Sequence, residues 1–327
     1  MKPSITESQE TVTSPQRPIT SGGGNGQANE RDVGGRTFSR FIAICAEGWA
    51  RLYCALSERA AIRLGRILIT PLLLPSERRR RANLRKILIP LGWTPAQCRK
   101  ASRDNRRHFV EIIVQTARML TMDPQELERR IVIEGEHHLR EALQQGKGAL
   151  LIGDHLGNVW QMRALLSLRG FSVACVTFRQ RGLESLLERI WSRFRLSPTY
   201  VGEGGSSAAA EAFRSNSAFS ISFDSSVPGR GENSMWIRFG TVNILIDSGP
   251  ARLALAHDVP VERVHLRPDS AFRSHLIIDP PMDRADRPSG PDAAAELLAR
   301  WTESLYQEVV QRPSRWWFWG FIDMKEI

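Results

Sequence analysis

The spacing of apolar positions changes character near residue 123. From Thr37 to about Asp123, apolar residues recur every three or four positions. Ile42, Cys45, Trp49, Leu52 and Leu56 form one such stripe, and Phe109, Ile112, Ile113, Thr116 and Leu120 another. That period predicts amphipathic helices. Pro71 and Pro75 are expected to break the first region, with a new helix after Ser76. Thr94-Pro95-Ala96-Gln97 is a helix start: a capping hydroxyl, proline at the first helical position and glutamine three residues on.

Beyond Asp123 short apolar runs alternate with helical stretches. Ile131 to Gly135 reads as a strand and turn, Glu136 to Gln145 as a helix closed by Gly146, and Ala149 to Gly153 as a strand buried on both faces. Helices are expected over Asn158–Arg169, Leu183–Phe194, Ser206–Phe213, Ser248–Ala256 and Ala293–Val310. Strands are expected over Ser172–Phe178, Thr199–Val201, Ala218–Phe223, Val242–Ile246, Val259–Leu266 and Ser274–Asp279. This alternation predicts an α/β fold with a mixed, largely parallel sheet flanked by helices, joined to an α-helical N-terminal portion. Three segments follow: a disordered tail over 1–36, a helical membrane-facing portion over 37–123, and an α/β domain over 124–327 continuous with it.

Composition narrows the class of partner. The chain has 327 residues and a formal net charge of +10, which favours anionic partners such as lipid headgroups, an acidic carrier protein or nucleic acid. Its four cysteines, Cys45, Cys54, Cys98 and Cys175, show no paired spacing, so neither a zinc site nor a disulfide framework is expected. The tail before residue 37 is rich in Ser, Thr, Gly, Gln and Pro and lacks the apolar stretch of a secretory signal. The most apolar region, Phe41 to Leu74, is interrupted by Glu47, Arg51, Glu58, Arg59, Arg63 and Arg66, so it reads as lying on an apolar surface rather than spanning a bilayer.

Chemistry is concentrated in Gly153-Asp154-His155-Leu156-Gly157-Asn158-Val159-Trp160. A buried strand ends there, a polar turn follows and a helix begins, which is where open α/β sheets bind ligands. A histidine in that turn can accept a proton from a hydroxyl near neutral pH. Gly157 permits close backbone approach, and Asn158 either caps the helix or holds a substrate oxygen. Backbone amides at the helix start could stabilise an oxyanion.

These residues, with Arg78 to Leu84, Ile133 to Leu139, Gly146-Lys147-Gly148, Phe178-Arg179, Phe223-Asp224, Phe239-Gly240 and Gly249 to Ala254, resemble in order the blocks of the lipid A biosynthesis (lauroyl/myristoyl) acyltransferase family. Tyr306, Pro313, Trp316 and Trp319 resemble its C-terminal signature. The resemblance implies a glycerolipid acyltransferase-like fold. It also implies transfer of a fatty acyl group from an acyl carrier protein or coenzyme A thioester to a hydroxyl or amine of a lipid A-like glycolipid or related acceptor. No cofactor beyond that co-substrate is implied. The setting would be peripheral or monotopic on an anionic membrane surface, at the cytoplasmic face of the inner membrane. His155 would be the catalytic base, and Asn158, Gly157, Arg179, Phe239 and Gly240 would contact substrate.

One position departs from the pattern. The family places an acidic residue five positions after the histidine, and this chain has Trp160. Indole cannot orient an imidazole or stabilise its cation as a carboxylate does. Asp154 and Asp224 are the candidates to replace it. Two alternatives stand beside them: an unassisted His155, or a chain that keeps acyl-chain or carrier binding without catalysis. Acylation in a specialised natural-product pathway is a further option. Nucleic-acid binding is suggested by charge alone, with no recognition module to support it.

Overall fold

The computed structural model describes residues 45–180, 182–226, 233–269 and 273–327. The expected tail over 1–36 and the start of the expected helical portion, residues 37–44 with Ile42, lie outside them. The helical portion comprises α1 (residues 45–55), α2 (Glu58–Leu73), α3 (Glu77–Leu88) and α4 (Pro95–Arg118). Thr94 forms the expected reciprocal cap with Gln97 at the start of α4. Pro71 does not break its helix. It sits in the last turn of α2, where the helix continues for two residues before a 3-10 turn, Leu74–Ser76, that contains Pro75. A proline one turn from the end costs one hydrogen bond in a stretch already ending, so the helix survives it.

Arg78 to Arg81 prove to be divided in role. Arg80 is only 1% exposed and pairs with Glu77 at 2.8 Å. Glu77 also receives Arg81, Arg106 and the Ser102 hydroxyl, which ties α3 to α4. Arg79 bonds Asp323 and the Phe321 carbonyl near the C-terminus.

The main sheet has seven strands in the order β1-β9-β8-β2-β5-β3-β4. They are β1 (Ile131–Glu134), β2 (Ala149–Gly153), β3 (Val173–Thr177), β4 (Thr199–Tyr200), β5 (Ala218–Ser222), β8 (Val261–Pro268) and β9 (Ser274–Ile278). All neighbours are parallel except β8 and β9. The intervening helices are α5 (Pro124–Arg130), α6 (Glu136–Gln144), α7 (Val159–Leu168), α8 (Glu184–Arg193), α9 (Gly205–Arg214), α10 (Gly249–Ala256) and α11 (Ala293–Gln311). β2 is central and fully buried, as its unbroken apolar run requires.

A second sheet was only partly legible. β6 (Ser234–Phe239), β7 (Val242–Asp247) and β10 (Met324–Glu326) form an antiparallel sheet in the order β10-β7-β6. Only β7 carries a clear apolar alternation. Gly240 takes the positive φ of 62° at the hairpin between β6 and β7, and a Cβ there would meet the Tyr306 ring at 2.3 Å.

One core position is costly. Glu262 on β8 lies opposite Leu151, is fully buried, and neither carboxylate oxygen has a hydrogen-bond partner. Burial pushes its carboxyl up to about 8. The folded state therefore keeps a proton that the unfolded chain has lost. Stability should fall as pH rises from about 4.5 to 8, with a slope of up to about 1.4 kcal/mol per pH unit from this group. Glu262→Gln should fall less steeply in urea titrations at pH 5, 6.5 and 8.

Candidate active site

β2 and β5 are hydrogen-bonded neighbours, with Gly153 paired to Ser222. Two residues beyond that rung come His155 and Asp224, so parallel register alone delivers both to the carboxyl edge of the sheet. Asp224 is fully buried and holds His155 twice: Oδ1 lies 2.6 Å from the ring Nδ1, and Oδ2 accepts the His155 backbone N–H at 2.9 Å. The Trp316 indole N–H donates to the same Oδ2 at 2.8 Å. A carboxylate against Nδ1 keeps the proton on that nitrogen, which leaves the Nε2 lone pair for chemistry.

The turn is clamped from two more sides. The Trp317 N–H donates to the His155 carbonyl at 3.1 Å. His108 Nε2 lies 3.0 Å from the Leu156 carbonyl, while its Nδ1 faces Arg315 at 3.2 Å. Burial and the neighbouring Arg315 push His108 down to about 3, so it stays neutral, with Nε2–H donating and Nδ1 accepting. His108 did not stand out in the sequence, because its contact with the turn is made across 48 residues of chain and its contact with Arg315 across 207.

Of the two candidate carboxylates, only Asp224 is brought to the ring. Asp154 Oδ1 accepts the Leu156 N–H at 3.3 Å, and Oδ2 lies 3.6 Å from Arg263. Burial, with a further push from Asp224, raises Asp154 to about 7 against the pull of Arg263.

The remaining sequence candidates fall in different places. The Asn158 side chain is the cap of α7: Oδ1 accepts from Trp160 N–H and Gln161 N–H, and Nδ2 donates to Thr116 Oγ1 and the Ile112 carbonyl. Those two amides are therefore taken and cannot also serve an oxyanion. Gly157 packs against β8, where a Cβ would lie 2.4 Å from the Leu266 carbonyl. Arg179 is exposed, paired with Glu203 at 2.6 Å and set over the Tyr200 ring. Phe239 is fully buried against Trp316 and Tyr306, so Phe239 and Gly240 support the fold behind Asp224 rather than reach His155.

Trp160 lies in the first turn of α7. Its ring stacks on Trp191 with centroids 4.6 Å apart and is 6% exposed. It forms part of the wall of two cavities. One, of about 640 Å³, is lined by His155, Arg163, Thr177, Ser222, Trp317 and Phe318 among others. The second, of about 580 Å³, is walled almost wholly by apolar groups, including Trp49, Leu72, Phe109, Ile113 and Leu187. Trp160, Gln180 and Trp317 belong to both. A third cavity, of about 880 Å³, lies beside Arg267 and Arg312 and is lined by neither member of the dyad.

A His–Asp pair at this edge, beside an apolar groove, is the arrangement expected of an acyl-transfer enzyme. The family described as bacterial lipid A biosynthesis acyltransferase matches residues 40–320, most of the chain. The chain belongs to that family. No curated protein matches it closely. Membership in the lipid A acyltransferases accounts for the order of the blocks and for His155 at the end of β2. The carboxylate that stands against the imidazole is Asp224, and Trp160 stacks on Trp191.

Proposed function

We propose that this lipid A-type acyltransferase is active, with His155 as general base and Asp224 as its carboxylate partner. The substrates would be a fatty acyl thioester and a hydroxyl or amine on a glycolipid or related amphiphile. The observation that carries it is the His155–Asp224 contact, with His155 in the wall of the cavity of about 640 Å³ that shares Trp160, Gln180 and Trp317 with the apolar groove.

In the proposed reaction the acceptor hydroxyl gives its proton to His155 Nε2 as its oxygen bonds to the thioester carbonyl carbon. The tetrahedral adduct then expels the thiolate, which takes the proton back from the imidazolium. Asp224 holds the ring and offsets its transient charge. An acyl carrier protein or coenzyme A thioester fits the donor role, and no resident cofactor enters this scheme.

The groove is suited to the acyl chain. Burying apolar surface contributes about 25 cal/mol per Å², so a long chain gains several kcal/mol by entering it. Its wall includes the exposed Trp49 and Leu72, and α2, which carries Leu72, also exposes Ile67, Arg59 and Arg63. Apolar side chains interleaved with arginine suit an anionic membrane surface, where we place the protein peripherally. Among the described residues, no helix is long and apolar enough to cross a membrane.

The reading is tested by incubating the purified protein with an acyl carrier thioester and phosphorylated glycolipids, then weighing products by mass spectrometry. The expected product is heavier by one acyl group, with one free thiol released per transfer. Binding of both substrates with no transfer would instead support an acyl-binding protein on this fold. Leu187→Trp, which fills the groove, should shift the preferred donor to a chain shorter by several carbons, read from competition between donors of different length.

A further inference from the structure

Arg163 is a cation that the fold encloses without neutralising. It is 3% exposed, on α7 one turn beyond Trp160. Helical side chains lean toward the helix N-terminus, so its stem runs back toward the carboxyl ends of β3 and β5. Nε donates to Ser220 Oγ at 3.2 Å, and the guanidinium carbon lies 4.9 Å from the Trp160 ring centroid. No carboxylate among the described residues pairs with it. Several other enclosed arginines are paired with carboxylates, Arg80 and Arg106 with Glu77, Arg130 with Glu58 and Arg263 with Asp154, while Arg118 and Arg287 are engaged by backbone carbonyls and Arg315 by His108.

The unpaired head borders the cavity that His155 serves. Thr177 and Ser222 add hydroxyls to the same wall, since strand alternation turns them to the α7 side along with Cys175 and Ser220. A desolvated, unpaired guanidinium is unfavourable in the free protein and becomes favourable when a ligand brings the opposite charge. Its planar fork matches the oxygens of a phosphate. The aromatic face of Trp160 supports the cation but cannot neutralise it.

We propose that Arg163, with Thr177 and Ser222, is the subsite for a phosphate ester carried by a substrate. On this account Trp160 is retained as the platform that holds the guanidinium in place. The identity of the phosphate's carrier rests on the acyl-transfer reading. The phosphate preference does not. Two carriers share the chemistry: the phosphopantetheine arm of the donor, and a phosphate on the acceptor.

The test is equilibrium binding to the full chain with two matched pairs. One is pantetheine 4′-phosphate against pantetheine, and the other dioctanoyl phosphatidic acid against dioctanoylglycerol. The expected result is at least about tenfold tighter binding of the phosphorylated member in one pair, and that pair identifies the carrier. The preference should vanish in Arg163→Gln and persist in His155→Ala. Having lost an unneutralised buried charge, Arg163→Gln should melt no lower than the wild type, whereas a residue with a purely structural role would lower the melting temperature. Should that variant fail to fold, Arg163→Lys decides: a weakened phosphate preference is expected, and an unchanged one overturns the proposal. Equal binding within both wild-type pairs, or an undiminished preference in Arg163→Gln, also overturns it. Because binding is read without turnover, a phosphate preference without acyl transfer would refute the activity alone, and transfer without the preference would refute the subsite alone.

Discussion

Asp224→Asn should lower kcat by about a thousandfold while leaving KM within a few-fold of the wild type, measured with a saturating acyl thioester. The amide keeps the shape of the carboxylate but cannot stabilise the imidazolium, and it can present an N–H to Nδ1, which favours the wrong tautomer. In hydrolase triads that change costs about ten-thousandfold. A thousandfold is expected here because the His155 carbonyl and backbone remain clamped by Trp317 and the turn. The Trp316 indole loses its charged acceptor in the same variant, so a far-UV and tryptophan fluorescence check belongs beside the kinetics. Trp160→Glu, by contrast, should not raise the rate. Its side chain would enter the Trp191 and Arg163 neighbourhood, not the carboxylate position that Asp224 already fills.

Glu77→Ala should cost about 3–5 kcal/mol of folding stability, read as a lowered midpoint in urea with an unchanged slope. Removing one partner of a buried pair leaves the other charge uncompensated, and Arg80, 1% exposed, would be left in that state. Ser102 and Arg106 lose the same acceptor, so the contact between α3 and α4 loosens as well. For Glu77 itself burial raises the carboxyl, but hydrogen bonds from Ser102 and Arg81 and the nearby Arg106 outweigh it, so its pKa is lowered. A depressed carboxyl contributes stability above its unfolded value of about 4.5, and that contribution is lost as pH falls through the lower folded value. The difference between wild type and Glu77→Ala should therefore be full at pH 6 and shrink in strong acid.

The local features were those most legible from the chain. The apolar run Ala149–Gly153, the polar turn after it, the Thr94 capping box and the helix closed at Gly146 are each set by a few adjacent residues, and each appears where expected. His155 was marked by its place at a strand end. What remained open was long-range. Choosing Asp224 over Asp154 depends on β2 and β5 being neighbours across 69 residues. β6 and β10 gain their pairing from β7, without a strong alternation of their own. Phe239 and Gly240 resembled a substrate block because position in a motif does not tell a packing role from a binding one. Arg163 was missed because an arginine on a helix is ordinarily solvated, and only its burial without a carboxylate makes it informative.

His155, held by Asp224, is the proposed general base. The direct measurement is acyl transfer by His155→Ala, with and without added imidazole, beside the wild type. The expected result is active wild-type protein, loss of at least about a thousandfold in the variant, and partial recovery when imidazole enters the cavity left beside Asp224. Transfer by His155→Ala at the wild-type rate would contradict it.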